Sequence, residues 1–175
     1  MVDELRGRGI DGATVLEVGG GVGAIEIELL RAGAARATIV ELSDGYEAEA
    51  RTLLAASSLE GRVERRLGDF VEQAAEVETA DVVVMHRVVC CYPDEEALVG
   101  AATDHTGRLL ALSFPRDTLL ARTAAGLFNL VMRAIFDFRM YVRPAQAVLA
   151  PAQARGLRVV HEHEGLFWRL AVLER

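Results

Sequence analysis

Lysine is absent from this chain of 175 residues, in which all 19 basic residues are arginine. The absence excludes mechanisms that use a lysine Schiff base or a lysine nucleophile. Cysteine is scarce too, and the two that occur, Cys90 and Cys91, are adjacent. They provide neither a disulfide framework nor the spacing of a structural zinc site, so we expect no metal and a cytoplasmic location.

Long apolar runs and an excess of positive charge are also missing. No uninterrupted run reaches the roughly 18 apolar residues of a membrane span. The polar, acidic start MVDELRGRGIDG resembles neither a signal peptide nor a transit peptide. The length predicts a single domain over residues 1–175. Because the net charge of −7 repels nucleic acid, we expect this domain to act on a small molecule.

Segments typical of strands alternate with segments typical of helices. This alternation predicts an α/β fold with a mostly parallel sheet covered on both faces. At the C-terminus, two strand-like segments are separated only by Gly165, and so short a connection requires an antiparallel hairpin. The predicted strands are 14–18, 37–41, 61–66, 80–85, 108–114, 157–164 and 166–173, and the predicted helices are 22–32, 43–57, 95–104 and 145–154, the last interrupted by Pro151.

Glycines follow the first predicted strand in the stretch TVLEVGGGVG, residues 14–23. Backbone without side chains allows a ligand to touch the main chain, and the free N–H groups at a helix start favour anionic groups. Glu41 ends the second strand, where a carboxylate can accept both hydroxyls of a ribose. Together these features indicate an adenosine-containing ligand, whereas a glycine-rich tight turn without a ligand is the simpler alternative.

Two cofactors fit this pattern. Gly19, Gly21 and Ala24 match the G-x-G-x-x-G/A fingerprint of dinucleotide-binding proteins, which would indicate a NAD(P)-dependent oxidoreductase. Against it stand Glu17 before the glycines, the C-terminal hairpin, and Asp69 after the third strand, where a carboxylate can accept from an adenine amine.

These segments resemble the motifs of class I S-adenosylmethionine-dependent methyltransferases. VLEVGGGVG resembles the first motif, VELSDGYEAEAR the second, LGDF the third and ADVVVMHRVVCCYPD the fourth. The resemblance implies a Rossmann-like, doubly wound, seven-stranded sheet and S-adenosylmethionine as cofactor. Within the family, LLALSFPR and the apolar segment after it resemble the magnesium-protoporphyrin O-methyltransferase branch. The motifs specify the cofactor and say little about the substrate.

The resemblance also implies roles for individual residues. The glycines would contact the methionine portion of the cofactor, Glu17 its ammonium, Glu41 its ribose and Asp69 its adenine. The full set of implied cofactor residues is Glu17, Gly19, Gly21, Gly23, Glu41, Leu42, Asp69 and Phe70.

Residues that leave the fourth strand, from His86 to Tyr92, would face the transferred methyl group, by the geometry of the family. His86, Arg87 and Tyr92 are the candidate catalytic residues. His86 would serve as a general base, or would simply be hydrogen-bonded at the strand end. Arg87 would pair with a substrate carboxylate, or would be an ordinary surface residue. Cys90 and Cys91 are interpreted as small buried apolar residues.

An apolar insert at about 115–143 separates the fifth strand from the hairpin. Apolar residues recur at helical spacing within 117–140, among them Leu119, Leu120, Leu127, Leu130, Val131, Ala134, Ile135 and Phe138. The stripe can pack in the core, cover an apolar substrate as a lid, or contact a membrane surface or partner chain. A non-catalytic cofactor-binding module is a further alternative, because the family needs no obligatory catalytic residue.

Overall fold

The computed structural model describes residues 1–132 and 139–175. The helices are α1 (Val2–Gly7), α2 (Ala24–Arg31), α3 (Glu47–Ser57), α4 (Phe70–Gln73), α5 (Glu95–Asp104), α6 (Leu119–Met132) and α7 (Ala145–Ala154). The strands are β1 (Thr14–Val18), β2 (Arg36–Glu41), β3 (Val63–Leu67), β4 (Ala80–His86), β5 (Thr106–Pro115), β6 (Arg158–Glu164) and β7 (Trp168–Glu174). Residues 133–138 of the predicted insert lie outside the described residues.

The strands form one seven-stranded sheet in the order β3-β2-β1-β4-β5-β7-β6. The five strands β3, β2, β1, β4 and β5 are parallel to one another, whereas β7 is antiparallel to both β5 and β6. The predicted fold class, including the reversed hairpin strand, is therefore confirmed. The predicted start of β7 at residue 166 is wrong, because Leu166 and Phe167 lie in the hairpin turn and the strand begins at Trp168.

Helices bury apolar side chains against both faces of the sheet. On one face, Leu98 of α5 and Val148 of α7 pack in a cluster with Leu112 of β5. On the other face, Leu5 of α1 and Ile27 of α2 pack with other strand residues. Because the central strands are covered on both sides, they read as nearly continuous apolar runs.

Two helix predictions require correction. Helix α7 is not interrupted at Pro151 but runs through it, with Val148 and Ala152 buried on either side. Core packing offsets the loss of the one hydrogen bond that proline cannot donate. Ser43, predicted with Asp44 as a possible cap of the next helix, caps a 3₁₀ turn by accepting the Gly45 N–H, and α3 itself begins later, at Glu47.

Helix α6 contradicts the interpretation that the apolar stripe packs in the core. Five large apolar residues on it are between 51% and 82% exposed, namely Leu119, Leu120, Leu127, Leu130 and Val131. Ala125 is its only buried residue, and the Asn129 side chain ties the helix to the backbone of Met140. None of the helices in the described residues is long and apolar enough to cross a membrane.

Candidate functional site

A cavity of about 560 Å³ opens at the carboxyl ends of the parallel strands. It lies beside the paired strands β1 and β4, where the strand order of the sheet reverses, which is the usual binding crevice of an open α/β sheet. Its volume suits a small ligand. Nine predicted site residues line it: Gly19, Gly21, Glu41, Leu42, Asp69, Phe70, His86, Arg87 and Tyr92. The predicted residues Glu17 and Gly23 do not line it.

The glycine turn, residues 19–23 between β1 and α2, presents bare backbone to this cavity. Gly19 and Gly21 have φ angles of +69° and +55°, which side chains rarely adopt. A Cβ atom at Gly19 would lie 2.5 Å from Val88 Cγ2, whereas a Cβ at Gly21 would meet no protein atom within 4 Å. Gly21 therefore borders open space that a ligand can occupy.

Glu41 joins the glycine turn to the end of β2. Its two carboxylate oxygens accept the backbone N–H groups of Gly21 at 2.8 Å and of Ser43 at 2.9 Å. The residue is only 7% exposed. Because each carboxylate oxygen has a second lone pair, Glu41 can still accept ligand hydroxyls while it holds the backbone.

Asp69 and Tyr92 form the opposite wall of the cavity. The Tyr92 hydroxyl donates to Asp69, at 3.0 and 3.1 Å from its two oxygens, and Asp69 also accepts the Val71 N–H at the start of α4. Burial, followed by the hydrogen bond to Asp69, raises the pKa of Tyr92 to about 12. Tyr92 is therefore a neutral donor that orients Asp69.

Glu17 lies beneath the glycine turn instead of facing the cavity. It is 1% exposed, accepts the Glu26 N–H at 3.1 Å and lies beside the buried Glu26 side chain. Burial, followed by the hydrogen bond to Glu26, raises the pKa of Glu17 well above its usual value. With both groups ionised, neither Glu26 oxygen would have a donor, so we assign a proton to Glu17.

His86 ends β4 at the rim of the cavity. Its Nδ1 lies 2.9 Å from the Ser113 hydroxyl of the neighbouring strand, and that hydroxyl also accepts the Arg87 N–H. Burial, followed by the charge of Arg87, lowers the pKa of His86. The ring is therefore neutral at pH 7, and Ser113 determines its orientation.

The backbone turns sharply after His86. Arg87 has a φ of +62°, a conformation that costs a residue with a side chain about 1–3 kcal/mol and is concentrated at functional sites. Its guanidinium lies 4.6 Å from the Trp168 ring centre. Cys90 is buried as predicted, but Cys91 is exposed and lines the cavity, which corrects the interpretation of both cysteines as buried.

Several lining residues were not predicted from the sequence. Ser43, Tyr46 and Arg139 border the cavity, and Ser113 supports it from β5. Val88 and Cys91, which the resemblance implied among the residues that leave β4 toward the methyl group, line it as well. Ser113 carries one usable signal, since it is a hydroxyl residue inside the apolar strand RLLALSF. In the part of the chain that the structure describes, no group of three potential ligands could hold a metal ion.

Comparison with known proteins shows a clear family match. Residues 15–112, more than half of the chain, match the family model described as a methyltransferase domain. Among solved structures, magnesium protoporphyrin IX methyltransferase (ChlM) from Synechocystis PCC 6803 with bound SAH gives a TM-score of 0.78 at 20% identity. That comparison covers 99% of this chain and 81% of ChlM.

Two further structures show how widely the architecture is shared. An O-methyltransferase family protein from Burkholderia thailandensis gives a TM-score of 0.81 at 22% identity, and this chain spans only 55% of its length. An S-adenosylmethionine-dependent methyltransferase from Mesorhizobium loti gives 0.73 at 13% identity, covering 95% of this chain and 92% of that one. At such identities these structures establish the fold alone. No curated protein matches the chain by sequence.

Replacing Gly19 by alanine should weaken ligand binding, because the new Cβ would collide with Val88 and force an unfavourable φ angle. We expect at least a tenfold rise in the dissociation constant of S-adenosylhomocysteine, measured by calorimetry. Gly12→Ala is the control, since Gly12 has a φ of +73° but open space around it. Equal affinity for the Gly19 variant and the wild type would contradict a close approach there.

Glu17→Gln should stabilise the protein increasingly as pH rises. The folded state keeps a proton on Glu17 that the unfolded state loses above pH ~4.5, so unfolding becomes easier with rising pH until the raised pKa is passed. Glutamine cannot ionise and escapes this loss. The free energy of unfolding, measured from pH 5 to 8, should therefore fall less steeply for the variant. Glu49→Gln, on an exposed residue, is the control.

Proposed function

The chain belongs to the family of methyltransferase domains, and we propose that it transfers a methyl group from S-adenosylmethionine to an oxygen or nitrogen atom of a small molecule. The enzyme class and cofactor expected from the sequence are confirmed by this membership. The observation that carries the proposal for the site is the convergence of Gly21, Glu41 and Asp69 on one cavity.

Different residues of this cavity suit different parts of the cofactor. The bare backbone at Gly19 and Gly21 accommodates the methionine portion, and Glu41 accepts the ribose hydroxyls. Asp69, held by Tyr92, accepts the adenine amine. Glu17 would act on the ammonium only through the backbone that it supports, because its carboxyl group lies beneath the turn.

The reaction needs little covalent help from the protein. A sulfonium methyl carbon is already electrophilic, so the enzyme has to align a nucleophile behind it and exclude water. Such positioning can contribute about 7–11 kcal/mol to lowering the barrier. His86, Arg87 and Cys91 border the side of the cavity left for the acceptor, and the cations of Arg87 and Arg139 favour an acceptor with an acidic group.

His86 is the proposed general base, and its role depends on the proton shared with Ser113. When Nδ1 carries the proton and donates to the serine hydroxyl, Nε2 has a free lone pair that can remove a proton from the acceptor. When the hydroxyl donates to Nδ1 instead, Nε2–H holds the acceptor as a hydrogen-bond donor.

The insert at about 115–143 is proposed as a lid over the acceptor. Arg139 lines the cavity, and Asn129 bonds both backbone groups of Met140 beside it, so the end of α6 is tied to the cavity rim. The exposed leucines of α6 then provide an apolar surface for the acceptor.

Calorimetry with S-adenosylhomocysteine tests the proposed site. Glu41→Ala should lose about 2 kcal/mol of binding free energy, roughly a 30-fold rise in the dissociation constant, since hydrogen bonds to a charged group are lost. Glu49→Ala, on the exposed face of α3, should leave affinity unchanged. Failure of the wild type to bind, or binding of reduced nicotinamide instead, would contradict the proposal.

His86→Asn should reduce kcat at least tenfold while the affinity for S-adenosylhomocysteine is kept, because the ring borders the acceptor and not the ribose. In the wild type, a base role requires the neutral ring, so kcat should fall as pH drops through the lowered pKa of His86. A rate that persists below that pKa would instead indicate the donor role. His163→Asn, on an exposed strand residue, is the control.

Replacing Leu127 and Leu130 by asparagine should raise KM for a methylated acceptor about tenfold, since apolar contact with the acceptor is lost. The affinity for S-adenosylhomocysteine should stay the same, because no residue of α6 lines the cavity. Leu53→Asn on α3 is the matched control. An unchanged KM would contradict the lid.

A further inference from the structure

Arg65 is a nearly buried cation on the edge strand of the sheet. It belongs to β3, pairs in register with Ile39 of β2, and its side chain is only 9% exposed. It does not line the cavity. Burying an arginine is costly unless its donors are used, so its contacts indicate what it does.

The Arg65 side chain reaches the back of the glycine turn. Its Nη2 donates to the Gly21 carbonyl at 2.8 Å, while the Gly21 N–H donates to Glu41 at 2.8 Å. The two hydrogen bonds hold Gly21 from both sides of its Cα atom. Because φ and ψ of this glycine are otherwise loosely restrained, the pair determines how its backbone faces the cavity.

Two acids keep the guanidinium in place. Glu47, the first residue of α3, accepts from Nε at 3.1 Å and from Nη2 at 2.9 Å. Glu26 of α2 lies 3.8 Å from Nη1, and Arg65 is the only cation that pairs with it among the residues that the structure describes. Arg65 also lowers the pKa of Glu17, although burial outweighs it. The forked guanidinium therefore connects β3, α2, α3 and the glycine turn, which the single point charge of a lysine could not do.

We propose that Arg65 is a positioning residue that raises the affinity for S-adenosylmethionine by holding the Gly21 carbonyl from behind. The inference rests on the proposed function, in which Gly21 contacts the cofactor. Arg65 itself touches neither cofactor nor acceptor. Its loss should therefore weaken cofactor binding and leave the methyl-transfer step at saturating cofactor unchanged.

The experiment compares Arg65→Met, Arg65→Lys and the double variant Arg65→Met/Glu26→Gln. Calorimetry gives the dissociation constant of S-adenosylhomocysteine, and thermal unfolding without ligand gives stability. Removing the arginine alone leaves Glu26 buried without a cation, so Arg65→Met should unfold at a lower temperature. The double variant removes that charge and should recover much of the melting temperature, yet its dissociation constant should stay at least tenfold above the wild type.

Arg65→Lys keeps a charge beside Glu26 and Glu47, so it should remain folded even if the methionine variants do not. Its ammonium nitrogen ends one bond short of the Nη2 position and replaces only one of the two Nη groups, so it should lose the bond to the Gly21 carbonyl. We therefore expect weakened binding with kcat at saturating cofactor unchanged within about twofold. Arg66→Met is the matched control, because the neighbouring Arg66 bonds Glu64 and the Glu76 carbonyl instead. It should leave the affinity unchanged.

Affinity that recovers together with stability in the double variant would overturn the inference, since Arg65 would then act only on folding. Wild-type affinity in Arg65→Lys would overturn it as well, because charge alone would suffice. Neither result bears on the proposed function, which is tested separately by the binding of S-adenosylhomocysteine to the wild type.

Discussion

The hydrogen bond from the Gly21 N–H to Glu41 connects the main parts of the site. It joins the turn after β1 to the end of β2, which are adjacent in the sheet because the two strands pair in register from Thr14 to Val18. A buried carboxylate is stable only when its oxygens are bonded, and backbone N–H groups that no helix uses need an acceptor. Each group therefore satisfies the other, and both remain at the cavity edge.

Charge is distributed unevenly around this turn. Toward the cavity, Glu41 and Asp69 offer oxygens to a ligand, whereas Glu17, which carries a proton, and Glu26 are enclosed beneath the turn. Arg65 provides the compensating cation from β3. The turn thus depends on a buried set of ionisable groups that no ligand touches, and a change there reaches the ligand only through the backbone.

Local patterns made part of the site predictable. The glycines and Glu41 could be recognised because each follows an apolar strand directly, and the ends of parallel strands meet at one edge of a sheet. Tyr46 and Arg139 could not, since their places at the cavity depend on how distant segments pack. The burial of Glu17 was missed for another reason: its partner Glu26 is close in sequence, but only the fold of the glycine turn and α2 brings the two side chains together.

The sequence by itself determined the alternation of elements, the reversed C-terminal strand, the family and its cofactor, because these follow from periodicity, loop length and short contiguous motifs. Only the tertiary structure decided which acids face the cavity, that Cys91 is exposed while Cys90 is buried, and that the apolar stripe of α6 lies outside the core. Burial and side-chain pairing depend on contacts between distant segments, and such contacts have no signature in the spacing of residues along one chain.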